Sequence, residues 1–109
     1  NQVVITTKMD KLLSFDEKTG ILECESGVCL EDLIRVFVPK GWFVPVTPGT
    51  RFVTVGGMFA SDVHGKNHHK VGTFGNYVKS ISLFLKVNPL NLYKRKFYYQ
   101  KGLLYMNNK

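Results

Sequence analysis

Between Val53 and His69 the chain reads VTVGGMFASDVHGKNHH, a run that holds Gly56, Gly57 and Gly65 together with His64, His68 and His69, all the histidines of the protein. Glycine has no Cβ and lets a ligand approach the main chain, while imidazole supplies a hydrogen bond, a proton or a metal ligand near neutral pH. Together they suit a surface on which backbone and polar side chains meet one bound molecule. Thr54-Val55-Gly56-Gly57 follows an extended run and enters a short small-sided segment, a setting in which main-chain N–H groups can face an anion such as a diphosphate. The start of a close-packed helix explains the same residues. The dinucleotide fingerprint Gly-x-Gly-x-x-Gly is absent.

Other chemistries of this run are poorly served. His64 and His68 stand four apart, as on one face of a helix, but Gly65, Asn67 and Gly72 disfavour that helix. Lys66 and Lys70 put cations beside the two rings, and no Asp or Glu follows to complete a coordination shell, so no metal site is expected. Ser61 and His64 are close in sequence but lack the strand-turn-helix elbow and the separate acid of a nucleophilic triad. Cys24 and Cys29 read as free thiols behaving as small apolar residues.

The elements that must position this run are legible on its N-terminal side. Leu13–Asp16, a turn over Glu17-Lys18-Thr19-Gly20, and Ile21–Glu25 read as a β-hairpin, preceded by the short β-branched stretch Gln2–Thr6. Leu30, Leu33, Ile34 and Phe37 fall on one helical stripe with Glu31, Asp32 and Arg35 facing away, and Pro39 and Gly41 end the helix. Trp42–Thr50 is extended and broken by prolines, with Pro48-Gly49 as a tight turn. Ser61–Tyr77 is too rich in Gly, Asn and His for regular structure to be expected. Ile81, Leu83, Leu85 and Val87 alternate with polar and aromatic neighbours, which predicts a half-buried strand.

At 109 residues and 44% apolar content the chain can form one core, alone or as part of a larger domain. Its net charge of +7 is unevenly spread. From Phe84 to Lys109 there are six basic residues and no acidic one, whereas residues 1–83 carry nine basic against eight acidic. The basic character therefore belongs to the end of the chain, where PLNLYKRKFYYQKGLLYMNNK shows no sustained period of 2 or 3.6. Two readings of this end stand side by side: an aromatic and cationic grip on single-stranded nucleic acid, and a mobile or aberrant terminus. No charged-then-apolar leader is visible, and no apolar run approaches the roughly 18 residues needed to cross a bilayer. Cytoplasm and membrane periphery both remain open.

A resemblance covers the middle of the chain. Pro48-Gly49-Thr50, Thr54-Val55-Gly56-Gly57, Asp62-Val63-His64-Gly65-Lys66-Asn67-His68-His69 and Gly72-Thr73-Phe74-Gly75-Asn76 closely resemble, in order and spacing, the PCMH-type FAD-binding domain of the vanillyl-alcohol-oxidase superfamily. The similarity is to the decaprenylphosphoryl-ribose 2-oxidase group and its sugar-lactone oxidase relatives. It extends more weakly back through Glu25-Ser26-Gly27-Val28 to about residue 1.

The resemblance implies an α+β fold, a mixed sheet with flanking helices, in which FAD lies between two subdomains and this chain supplies most of the second. It implies cofactor contacts at Gly49, Thr54, Val55, Gly56, Gly57, Ser61, Asp62, Val63 and His64, with His64 and Lys66 where substrate meets flavin. His68 and His69 stay outside that set. The implied activity is oxidation of a sugar CH–OH group, on a free or lipid-phosphate-linked sugar. Residues 1–83 are the expected partial FAD-binding domain, and 84–109 a basic, aromatic tail departing from the family pattern. A first subdomain is expected before Asn1 and a substrate domain after the tail, so the chain is read as a fragment and its catalysis as dependent on those partners. The alternative is a small basic module that binds nucleic acid or anionic membrane.

Overall fold

A computed structural model describes residues 5–82 and the backbone of 101–105 and 107–108. Its first regular unit is the expected hairpin of β1 (Leu12–Asp16) and β2 (Ile21–Glu25), joined by a turn that Asp16 organises. The Lys18 N–H donates to Asp16 Oδ1 at 2.8 Å; this bond, with one from the Thr19 hydroxyl, lowers the Asp16 pKa. In β2 the side chains alternate, so Leu22 and Cys24 are fully buried while Ile21, Glu23 and Glu25 are half-buried.

The helical stripe becomes α1 (Leu30–Phe37), which buries Leu30, Leu33 and Phe37. Its first amides are taken up by the loop that follows later in the chain: Leu30 N–H donates to Val53 O at 2.8 Å and Glu31 N–H to Arg51 O at 3.1 Å. Arg51 Nε also reaches Glu31 Oε1 at 3.1 Å. The end of α1 tightens into a 3₁₀ turn over Val38–Lys40, and Gly41 stops it with a φ of 83°. A short strand β3 (Trp42–Phe43) follows, and Trp42 meets Phe15 edge-on at 5.3 Å between ring centroids.

Beyond the proline-broken segment lie α2 (Val55–Ala60), a single helical turn α3 (His68–Val71), a 3₁₀ turn over Phe74–Tyr77 and β4 (Val78–Ser82). The regular turns inside 61–77 were not expected from composition. A capping box explains the 3₁₀ turn: Thr73 N–H donates to Asn76 Oδ1 at 2.8 Å, and the Thr73 side chain accepts from the Asn76 backbone N–H.

The end of the chain also departs from the expectation of irregular tail. Residues Lys101–Tyr105 form β5, inserted between β2 and β4, and Asn107–Asn108 form β6 beside β3. The main sheet has the order β1-β2-β5-β4, and every pairing among the described strands is antiparallel. Gln2–Val4, the alternating positions Leu83, Leu85 and Val87, and the aromatic-basic residues 89–100 on which the nucleic-acid reading rests lie outside the described residues. The core joins β2 to both larger helices through Leu22, Cys24, Leu33, Val46, Met58 and Phe74. Among the described residues no helix is long and apolar enough to cross a membrane.

Candidate cofactor site

Two clefts flank the segment singled out by sequence. The first has a volume of about 310 Å³ and is lined by Thr6, Ser26, Gly56, Gly57, Phe59, Ala60 and Ile81. The second, of about 390 Å³, is lined by Thr47, Pro48, Gly49, His64, Gly65, Lys66 and Asn67. Gly49 is thus brought to His64 and Lys66 across fifteen or more positions of sequence.

In the glycine-lined cleft, the local chemistry begins with Thr54. This residue is the N-cap of α2, and its Oγ1 accepts from Gly57 N–H at 3.1 Å. Val55 N–H donates to Val28 O and Gly56 N–H to Ser26 O, each at 2.8 Å, and Met58 N–H donates to Thr54 O at 2.8 Å. The expectation that these amides point outward at an anion is therefore corrected. The start of α2 is sewn to the 26–28 segment, and its donors are spent inside the chain. What the glycines do present is bare Cα surface, for Gly57 is exposed and Gly56 half-buried. A Cβ built on Gly57 meets only Thr54 Oγ1, at 3.1 Å, among atoms of the chain itself.

Beneath this surface the backbone is crowded. Gly27 N–H donates to Met9 O at 2.7 Å, and a Cβ on Gly27 would lie against the carbonyl oxygen of Thr6 and 2.6 Å from that of Met9. Only glycine fits there. Beside it, Ser26 is 3% exposed, yet its Oγ has no hydrogen-bond partner among the described residues. A buried hydroxyl left unpaired costs about 1–3 kcal/mol. That orphaned group, together with open Cα surface, fits a cleft shaped for a bound molecule. Sequence reading passed over Ser26; the signal was a small polar residue closing a strand whose inward positions are otherwise apolar.

The second cleft is built from loops. Asp62 turns the chain with a φ of 43°, a left-handed conformation that Asp tolerates better than most residues. Its Oδ1 accepts from Gly75 N–H at 3.0 Å, tying the end of α2 to the 3₁₀ turn. Val63 is half-buried against the core, donates its N–H to Met58 O and accepts from Phe74 N–H at 2.8 Å. Held at this point, His64 and Lys66 are exposed to solvent. The His64 ring meets that of His68 at 5.1 Å between centroids, and His68 meets His69 at 5.8 Å. The three rings gather although His64 lies outside any helix, because the Gly65-Lys66-Asn67 bend brings His68 N–H to Gly65 O at 3.1 Å. Among the described residues no three His, Cys, Asp or Glu side chains gather in a way that could hold a metal ion.

The remaining sequence candidates divide between surface and core. Ser61, the C-cap of α2, is exposed, whereas the side chain of Val55 is buried and leaves only main chain for a ligand. Cys24 is buried, and desolvation first, then the charges of Glu23 and Glu25, pushes its thiol pKa up to about 12. It serves as core.

The chain matches the FAD binding domain family over residues 1–87 and belongs to it. It is 44% identical over 81 residues to decaprenylphosphoryl-beta-D-ribose oxidase of Mycolicibacterium smegmatis, an alignment covering 74% of this chain and 18% of that protein. It is 34% identical over 88 residues to D-lactate dehydrogenase of Anaerostipes hadrus, covering 81% and 18% respectively. A solved structure of alkyldihydroxyacetonephosphate synthase superposes with a TM-score of 0.71 at 17% identity, over 94% of this chain and 24% of that one, a likeness of fold. This is an FAD-binding domain of the kind found in flavin-dependent oxidoreductases, and FAD is its cofactor. The chain spans less than a fifth of the length of these two curated relatives.

Proposed function

We propose that this chain supplies the second subdomain of an FAD-dependent oxidoreductase that oxidises a sugar CH–OH group, on a substrate of the decaprenylphosphoryl-ribose kind. Residues 1–83 carry the cofactor contacts, and within the divergent end of the chain Lys101–Tyr105 joins β2 to β4 in the sheet that supports them. A first subdomain and a substrate domain complete the enzyme. Support for the sugar class comes from the higher identity to the ribose oxidase than to the lactate dehydrogenase.

The observation that carries the reading is the cleft that unites Gly49 with His64 and Lys66. In this reading Gly49, Gly56 and Gly57 give the cofactor flat backbone to lie against. Thr54 keeps one hydroxyl proton to donate, and Ser61, Asp62 and Val63 set the path of the chain toward His64. When bound, FAD supplies a ring that accepts a hydride equivalent from the carbinol carbon. His64 and Lys66 orient polar groups at that edge and stabilise negative charge as it develops.

The test is anaerobic mixing of the FAD-loaded complete enzyme, this chain joined to its first subdomain and substrate domain, with a polyprenyl-phosphoryl pentose and, separately, with D-lactate. Bleaching of the flavin absorbance by the sugar alone is expected, and loss of this bleaching with retained flavin in Lys66→Met. Bleaching by D-lactate alone would contradict the substrate class, and a protein that retains no flavin would contradict the siting of the cofactor.

A further inference from the structure

We propose that Ser26 contacts the cofactor, its hydroxyl hydrogen-bonding an uncharged, flat portion of FAD that lies in the glycine-lined cleft against Gly56 and Gly57. The inference rests on reading that cleft as part of the FAD site. Its starting point is the Oγ of a serine that is 3% exposed and has no partner among the described residues, in an interior where buried hydroxyls almost always find one. Ser26 forms part of the cleft wall, so a group entering the cleft arrives beside it. Its carbonyl is fixed by Gly56 N–H at 2.8 Å, which sets the serine backbone against the glycine pair and leaves χ1 rotation to aim the hydroxyl.

The surroundings select the partner. Among the described residues the cleft wall holds no Lys, Arg or His, and the amides of Gly56 and Gly57 are already engaged. A diphosphate moved here would lose hydration with neither cation nor amide to replace it. A heteroaromatic ring loses little water, gains apolar contact with bare Cα surface, Phe59 and Ala60, and offers a ring nitrogen or carbonyl that one hydroxyl can satisfy.

The experiment is titration of the apo protein with FAD, followed by flavin fluorescence, for wild type and Ser26→Ala, with thermal midpoints of the same apo samples. The expected result is a roughly three- to tenfold rise in Kd for Ser26→Ala, the range one neutral hydrogen bond spans. The apo midpoint should be unchanged or raised, since the hydroxyl has no partner among the described residues to lose. An unchanged Kd, beside a wild type that binds FAD, overturns the Ser26 contact and leaves the cofactor site standing. A lowered midpoint with unchanged Kd overturns it too and assigns the serine a structural bond. A wild type that binds no FAD overturns this inference and the cleft reading together. Inorganic pyrophosphate titrated in parallel decides the moiety: weakened pyrophosphate binding in Ser26→Ala would overturn the uncharged-ring assignment.

Discussion

The two clefts are made from different materials. Behind the glycine-lined one stand fully buried side chains, Val55 and Met58, and a backbone so crowded at Gly27 that a methyl group cannot enter. The histidine-bearing one has exposed His64, Lys66 and Asn67 on its wall and is held by single hydrogen bonds such as Asp62 to Gly75. Its exposed side chains can move without opening the core, while Val63 beside them stays tied to Met58 and Phe74. The contrast matches the proposed division of labour: a stiff surface where a cofactor rests, and adaptable polar groups where a substrate comes and goes.

If the first region is stiff because it is part of the core, damage there must be global. Gly27→Ala is expected to cost about 3 kcal/mol or more in a urea melt, since the new methyl collides with two backbone carbonyl oxygens and the backbone must shift to admit it. A loss under 1 kcal/mol would break the comparison. Cys24 probes the same region by pH. Its folded pKa is raised, so its contribution is fully present below the unfolded thiol value of about 9 and is lost as pH rises toward about 12. Stability should fall by about 1.4 kcal/mol per pH unit above 9, and Cys24→Ala should remove that component of the slope. An identical alkaline slope in the variant would show that the thiol is not sealed in the core.

Damage to the second region should stay local. Asp62→Ala loses the acceptor for Gly75 N–H and puts alanine at a φ of 43°, at a cost of about 1 kcal/mol or somewhat more. Hydrogen exchange at the Gly75 amide should speed up while the slowest core amides barely change. Asp62→Asn, which keeps a side-chain oxygen and tolerates that φ, should restore most of the protection. Loss of protection in β2 as well would merge the two regions into one cooperative unit.

How much of this was legible in sequence follows from how local each element's cause is. The hairpin and α1 announce themselves through a turn and through Leu30, Leu33 and Phe37, neighbours along the chain. The 3₁₀ turn was hidden because Asn76, a residue usually read as loop-forming, is what closes it. β5 was hidden because its order comes from partners far away, with Gly102 opposite both Cys24 and Ile81. The glycine, histidine and lysine positions of the site stood out by composition and by motif. Their grouping into two clefts did not, and the spent amides of α2 reversed the expected mode of contact. Ser26 left only a faint trace in sequence, since lacking a partner is a property of the folded surroundings.

The central claim, that the bare face of α2 admits FAD, is tested most directly by the dissociation constant of FAD for Gly57→Val beside Thr54→Ala. The valine covers the face, whereas the alanine removes the cap bond and leaves the face open. The account predicts at least a tenfold weaker FAD affinity for Gly57→Val and less than a threefold change for Thr54→Ala. Equal, undiminished FAD affinity in Gly57→Val would contradict it.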